Sequence, residues 1–357
     1  MSRSLHLSES LSQTLIAFTI EYDNEWEKSF WLPSKAKPLR VSMVMWENFM
    51  RFVVKGDISL QELSKRAGYP KGRAHPCIAG MLRWGFVTAT PGGRGKTSKL
   101  DQIIRPTKVG RQAGEFWAPL ASEIEGRWGS RFGAERIHEL KEALADLVAR
   151  FDSPMPRYLP VLGHLDGMRM PIASDPDHEP PQGLRLPHLL SKVIQRYAVS
   201  FEEESTVSLT HRANVLRVLS SEGIPVRAVP PLAGISKEAM KMAYGFLMKS
   251  GHVLEEPVPS GRGKSLRLTD EGMKERGRYH KLQQTMEARW EREFSHGAIS
   301  RVRSSLDAIL KHDVGAELPL FLGLTPPPKS WRSELPKPCV LPHQPMVLHR
   351  GGWPDGS

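Results

Sequence analysis

Apolar residues recur at intervals of three and four positions along much of the chain, a spacing that predicts amphipathic helices. Two of these apolar stripes, in 137–148 and 299–310, advance by the same steps of three, four, three and one residue. The first consists of Ile137, Leu140, Leu144, Leu147 and Val148, and the second of Ile299, Val302, Leu306, Ile309 and Leu310. Stripes that coincide after a shift of 162 residues indicate that one structural unit occurs twice.

Other positions extend the repeat over most of residues 10 to 325. At a shift of 166, Ala67-Gly68 falls on Ala233-Gly234, and at a shift of 162, Arg127-Trp128 falls on Arg289-Trp290. The shift changes around the sequence Gly-Arg-Gly-Lys, which occurs at 93–96 and again at 261–264. Because insertions are tolerated at exposed loop tips, we predict that both copies of this sequence lie at such tips.

Each unit is predicted to contain two helices, a short helix, an Ala-Gly turn and a further helix. The first two helices cover 11–26 and 42–54 in the first unit and 189–204 and 210–220 in the second, and the short helix covers 59–66. The further helix covers 70–84 and 236–250, with Ser236 as an N-cap. Gly85 and Gly251 follow these helices at the position where glycine ends a helix.

A hairpin of two strands and a long helix, interrupted near Gly133 and Gly297, are predicted to complete each unit. The polar, proline-rich segment 169–187 is predicted to be a linker between domains 1–168 and 188–325. Residues 326–357 are also rich in proline and are predicted to form a disordered tail. The 357 residues are enough for two domains of ordinary size.

The balance of charge favours an anionic partner. The net charge is +11, and residues 63–100 contain eight Lys or Arg and neither Asp nor Glu. The only cysteines, Cys77 and Cys339, exclude a disulfide framework and a cysteine-based zinc site. No uninterrupted apolar run of membrane-spanning length and no signal peptide is recognised, so we predict a cytoplasmic, nucleoid-associated protein without membrane contact.

Gly-Arg-Gly-Lys followed by Thr97 or Ser265 is similar to the end of a phosphate-binding loop. That loop also needs a glycine five residues before the glycine of its Gly-Lys pair. Thr90 and Val258 occupy these positions, and the residues that follow each copy are typical of a strand rather than a helix. A nucleotide site is therefore not predicted. No arrangement of residues suggests catalysis, a cofactor or a metal site either.

The order of helix, turn, helix and basic-tipped hairpin is that of a winged helix-turn-helix. The segment 262–272, RGKSLRLTDEG, resembles the wing of MarR-type transcriptional regulators. This resemblance implies an α+β fold that is mainly α with small β-hairpin wings. It implies two tandem winged helix-turn-helix domains whose long flanking helices form an intrachain pseudo-dimer. The chain departs from the family in carrying two units and in a first wing that is six residues longer.

Under this reading the protein is a transcriptional regulator that binds double-stranded DNA, as a pseudo-dimeric monomer or as a dimer of chains. Recognition helices would enter the major groove and wing tips would contact phosphates or the minor groove. The candidate helix residues are Lys71, Arg73, His75, Ser236, Lys237 and Lys241. The candidate wing residues are Arg94, Lys96, Lys99, Arg262, Lys264 and Arg267. Glu238, Glu255 and Glu256 lie in the second unit. The two units are therefore predicted to contribute unequally to DNA binding, the first mostly to affinity and the second mostly to selectivity.

Several alternatives stay open at the level of sequence. The units could form a protein-interaction scaffold, or a small-molecule effector could bind between them. Trp128, Phe132, Trp290 and Phe294 could line an effector pocket, although packing in the core is the simpler interpretation. Pro76 implies that its helix starts late or is kinked. Cys77 is either a redox sensor or, as we favour, a buried apolar residue.

Overall fold

The structure is a computed structural model of the chain. It describes residues 5–29, 44–68, 75–92, 101–153, 155, 179–258, 262–294, 297–310, 319–334 and 340–344. Within these ranges the protein is mainly helical and contains two small antiparallel sheets. No helix among the described residues is long and apolar enough to cross a membrane.

The two halves of the chain repeat one order of elements. The first half contains α1 (Leu7–Ser29), α2 (Val44–Val53), β1 (Ile58–Ser59), α3 (Leu60–Arg66), α4 (His75–Arg83), β2 (Val87–Thr90), β3 (Ile103–Pro106), α5 (Lys108–Phe132) and α6 (Ala134–Val148). The second contains α7 (Leu186–Glu204), α8 (Ala213–Val218), β4 (Ile224–Pro225), α9 (Val229–Ala233), α10 (Lys237–Lys249), β5 (Val253–Pro257), β6 (Lys264–Leu268), α11 (Asp270–Glu293) and α12 (Ala298–Leu310).

The sheets have the same strand order, β1-β3-β2 and β4-β6-β5. Their registers also agree, because Val87 pairs with Pro106 and the corresponding Val253 pairs with Leu268. The outer strands β1 and β4 have two residues each and were not predicted, since an alternating pattern needs a longer run. The hairpins that were predicted are therefore each part of a three-stranded sheet.

Each long helix is joined to its hairpin by the same threonine cap. The hydroxyl of Thr107 accepts a hydrogen bond from the N–H of Gly110 at 3.0 Å, and Thr269 does the same for Gly272 at 3.0 Å. The Thr107 hydroxyl also donates to the carbonyl of Gly85 at 2.7 Å. Capping satisfies backbone N–H groups that a helix leaves unpaired at its start. These bonds fix where each hairpin ends and each long helix begins.

Aromatic side chains fill the core of both halves. Trp128 and Trp290 are fully buried, and each makes an edge-on contact with its leading helix, through Phe18 at 5.3 Å between ring centroids and Tyr197 at 5.2 Å. Phe132 and Phe294 pack beside these tryptophans. The four aromatic residues considered for an effector pocket are therefore core residues, at 5% exposure or less.

The halves join through four helices, with α1 packed on α7 and α6 packed on α12. The N-termini of α1 and α7 are capped across the junction. The N–H of Leu7 donates to Glu287 of α11 at 2.7 Å, and the N–H of Leu186 donates to Glu125 of α5 at 3.0 Å. Lys141 and Arg303, which also correspond in the repeat, pair with Glu125 and Glu287. Each half thus completes the leading helix of the other.

Some residues of the proline-rich C-terminal segment pack against the helices. The disordered tail was predicted for 326–357, of which 335–339 and 345–357 lie outside the described residues. The buried guanidinium of Arg332 donates to Glu27 of α1 at 3.1 Å, and Leu341 and Gln344 are buried. Proline prevents regular helices here but does not prevent burial of extended chain. The α7 helix also begins within the predicted linker, of which 169–178 lies outside the described residues.

Pro76 and Cys77 lie at the start of the described part of α4, which runs from His75. The predicted start at residue 70 lies outside the described residues. Burial raises the pKa of the Cys77 thiol to about 11. Its thiolate is therefore scarce at neutral pH, which argues against a redox sensor.

Candidate nucleic-acid interface

The α10 helix has one buried face and one charged face. Ala239, Met240, Ala243 and Leu247 are buried, whereas Lys237, Glu238 and Lys241 are exposed. The helix follows α9 after a turn at Gly234, whose φ of +71° is a left-handed conformation that favours glycine. The turn therefore presents the start of α10, with its two lysines, to solvent.

Ser236 is placed differently from the neighbouring lysines. Its hydroxyl accepts a hydrogen bond from the N–H of Ala239 at 3.0 Å, and only 6% of the residue is exposed. The N-cap that was predicted for Ser236 is confirmed. We therefore assign Ser236 to capping of α10 rather than to a surface contact.

The second hairpin, formed by β5 and β6, carries the other candidate cations. Arg262 is exposed at its tip, beside Gly263 with a φ of +131°. Among the described residues, no carboxylate forms an ion pair with Arg262, Lys237 or Lys241. Lys264 begins β6, so a strand rather than a helix follows Gly-Arg-Gly, as the sequence indicated.

Glu255 connects this hairpin to α10. Its carboxylate forms an ion pair with Lys264 and accepts a hydrogen bond from the Tyr244 hydroxyl at 2.5 Å. The hydrogen bonds from Lys264 and Tyr244 lower the pKa of Glu255. The bond to Glu255 raises the pKa of Tyr244 to about 12. The Lys264 ammonium is thus already paired within the protein.

Arg267 is paired in the same way on the other face of the sheet. Its Nε donates to Glu256 Oε1 at 2.7 Å. Arg267 lies opposite Leu254, so Glu256 is its diagonal neighbour, within reach of a long side chain. The sequence placed two glutamates in this hairpin but did not identify their partners. An alignment of the two strands about their Gly-rich tip is the signal that could have paired them.

The first hairpin, formed by β2 and β3, has no carboxylate at the corresponding positions. Ala89 and Thr90 stand where the second hairpin has Glu255 and Glu256. Arg105, the counterpart of Arg267, donates to Thr90 at 2.9 Å and pairs with Asp57 at 2.6 Å. The tip at 93–100 lies outside the described residues. Within its described strands, the first hairpin therefore differs in charge from the second.

The remaining candidate residues of the first unit are only partly covered. Lys71, Arg73, Arg94, Lys96 and Lys99 lie outside the described residues. His75 is the first residue of α4, but its side chain is not described. Within the described ranges, no group of three or more His, Cys, Asp or Glu residues is arranged to hold a metal ion.

Comparison with known proteins gives no further information. No protein-family model, curated protein or solved structure matches the chain.

Proposed function

We propose that the protein is a sequence-specific DNA-binding transcriptional regulator with two winged helix-turn-helix units in one chain. The proposal rests on one observation. The α9 helix, the Gly234 turn and α10 are followed by a hairpin. The exposed cations Lys237, Lys241 and Arg262 lie on α10 and at the hairpin tip, and they form no ion pair with a carboxylate of the described residues. A helix of this kind fits the major groove, and a basic hairpin fits phosphates or the minor groove.

The four-helix junction supports the same proposal. Winged helices commonly bind DNA as two-fold dimers, whose half-sites reflect the symmetry of the protein. Here α1, α6, α7 and α12 bring two similar units together within one chain. We therefore propose that each chain carries the two DNA-binding units that a dimer would supply and that it acts as a pseudo-dimer.

The two units are proposed to contribute unequally. Lys264 and Arg267 of the second hairpin are paired with Glu255 and Glu256, so binding them to phosphate requires breaking those pairs. Residues 63–100 contain no acid, and the ion pairs described beside this range are those of Arg66 with Glu62 and of Arg105 with Asp57. The first unit is therefore proposed to supply most of the affinity, and the second mostly selectivity. The preferred DNA site should be non-palindromic.

Paired hairpin variants test this proposal. Arg94→Ala with Lys96→Ala should weaken binding to selected and random DNA alike. Arg262→Ala with Lys264→Ala should mainly reduce the difference in affinity between selected and random DNA. The first pair should also flatten the salt dependence by about one unit of slope for each lost phosphate contact. Affinity is measured on both DNAs over a range of salt concentrations.

A charge-matched control is provided by α11. Lys274→Ala with Arg278→Ala removes two exposed cations that lie outside both hairpins, and it should change neither affinity nor slope. Equal losses from both hairpin pairs together with a palindromic selected site would contradict the unequal roles. No measurable binding to any DNA would contradict the proposed function itself.

A protein-interaction scaffold is the second candidate. It is favoured by the ion pairs that neutralise the second hairpin and by the exposed side chains of Leu232 and Leu254 in that half, 50% and 41% exposed. Apolar side chains at a surface are typical of protein contacts more than of phosphate contacts. Crosslinking in cells separates the candidates, because a scaffold would be recovered with protein but not enriched on particular DNA sites.

A further inference from the structure

Residues 340–344 lie in a slot between the leading helix of the first half and three elements of the second. The slot is formed by α1, α8, α11 and the turn at Gly234. Leu341 is 1% exposed, and Gln344 is fully buried. The segment lies about 130 residues beyond its main partner in α8, so it reaches the slot as a strap from a distant part of the sequence rather than as part of a local motif.

One side chain recognises the backbone of this strap. The Asn214 Oδ1 accepts hydrogen bonds from the N–H groups of His343 at 3.1 Å and Gln344 at 3.0 Å. Its Nδ2 donates to the carbonyl of Gln344 at 3.3 Å. A buried amide that pairs with both N–H and C=O groups of another segment stabilises that segment's backbone without regard to its side chains.

Side chains add selectivity to these backbone contacts. The Nε2 of Gln344 donates to the buried Tyr279 hydroxyl at 2.7 Å, while Leu341 joins the core. The Nδ1 of His343 lies 3.3 Å from Glu9 Oε1, and the Ser12 hydroxyl donates to the Pro342 carbonyl at 3.5 Å. The slot therefore matches a short sequence with leucine and glutamine three positions apart.

The strap lies directly against the turn between α9 and α10. A Cβ placed on Gly234 would lie 2.7 Å from the carbonyl carbon of Leu341 and 2.8 Å from the carbonyl oxygen of Val340. Lys237 and Lys241 remain exposed, so the strap supports this turn without covering the charged face of α10. Through Glu9 and Asn214, it joins α1 to α8 of the opposite half, and at Gly234 it contacts the α9–α10 turn.

We propose that this slot is a binding site for a short peptide and that the chain's own residues 340–344 occupy it. The bound strap holds the α9–α10 pair in a fixed orientation relative to α1, and its release loosens that pair. The occupant is identified by the contacts themselves, since backbone and side chains of the strap are both recognised. The contacts of the strap lie within the protein and do not depend on DNA binding.

Hydrogen–deuterium exchange on the full-length chain tests how strongly the slot binds residues 340–344. Asn214→Ala removes the acceptor of two strap amides, so exchange in 340–344 and in the α9–α10 turn should become roughly tenfold faster. Gln344→Ala, which leaves the helices intact, should show the same pattern more weakly. Thr269→Ala is the control, because it weakens α11 at a cap outside the slot and should leave exchange of the strap unchanged.

Addition of the strap as a separate peptide tests whether the slot is a binding site. A full-length chain with Leu341→Ala and Gln344→Ala should bind a fluorescent peptide of residues 340–346, measured by anisotropy. The same chain with Asn214→Ala added should not bind it. Binding to the first chain and not to the second supports the proposal. The proposal is overturned if neither chain binds the peptide. It is also overturned if hydrogen exchange in 340–344 is unchanged in Asn214→Ala and Gln344→Ala.

Discussion

At the scale of single residues, two glycines set how closely the long helices approach their hairpins. A Cβ on Gly110 would lie 2.0 Å from the carbonyl oxygen of Phe86, and one on Gly272 would lie 2.0 Å from that of His252. Those carbonyls also accept hydrogen bonds from the N–H groups of Thr107 and Thr269 at 3.0 Å. A side chain at either glycine would therefore displace a helix from the cap that starts it.

A matched pair of alanine substitutions in α11 tests this argument. Gly272→Ala should lower the free energy of unfolding by about 1–3 kcal/mol, because the added methyl meets backbone that cannot yield. Gly277→Ala should raise it by about 1 kcal/mol, since nothing lies within 4 Å and alanine is the better helix former. Denaturant unfolding measures both, and equal effects would show that the close approach is unimportant.

At the scale of elements, the second hairpin and α10 are connected by a carboxylate. Glu255 neutralises Lys264 and holds Tyr244, whereas the first unit has Ala89 and Ile78 at the positions of Glu255 and Tyr244. The connection therefore belongs to the second unit alone among the described strands. Under the proposed function, it limits the contribution of Lys264 to binding of DNA.

Removal of that charge tests the role of the pair. Glu255→Gln keeps an acceptor for Tyr244 but releases Lys264, so affinity for random DNA should rise and the salt dependence should steepen by about 0.9. Glu222→Gln makes the same change of charge at an exposed position outside the hairpin. A rise in affinity that is equal in both variants would reflect net charge and not release of Lys264.

The elements also show which parts of the fold were predictable. The 3.6-residue period indicated the long helices, and Gly85 and Gly251 marked the ends of α4 and α10, whereas the threonine caps at Thr107 and Thr269 were not predicted. Strands β1 and β4 were missed because two residues carry no period. The glutamate partners in the second hairpin were missed because a cross-strand pair depends on the register of the two strands about their Gly-rich tip and not on the pattern within either strand.

At the scale of the whole molecule, Glu287 links stability to pH. Burial raises the pKa of this carboxyl, but hydrogen bonds from His6 and the Leu7 N–H and the charge of Arg303 outweigh burial and lower it. Because the folded pKa lies below the ordinary value of 4.5, the contribution to stability is full above pH 4.5. It is lost as the pH falls through the folded pKa.

Glu287→Gln should therefore cost about 2 kcal/mol near neutral pH, where a charged acceptor is lost, and less in acid. Unfolding midpoints at pH 7 and pH 3 measure the difference between the variant and the parent chain. Glu222→Gln, at an exposed position, should show no such convergence. A loss from Glu287→Gln that is independent of pH would mean that its charge is not responsible.

The joined halves also predict a stoichiometry. Because α1 with α7 and α6 with α12 already bury the apolar stripes within one chain, a monomer should bind DNA with one chain per site. Sedimentation of the free protein and of its DNA complex measures both states. An obligate dimer without a DNA-competent monomer would favour the dimer of chains instead.

The sequence by itself determined the long helices, the N-cap at Ser236 and the acid-free stretch 63–100, because these depend on neighbours a few residues apart, and the repeat, because its two copies can be aligned directly. Only the tertiary structure decided that Leu7 is capped by Glu287 and that Asn214 holds Gln344. These partners lie 280 and 130 residues apart. No local spacing records such contacts, since they exist only once both halves are folded and packed.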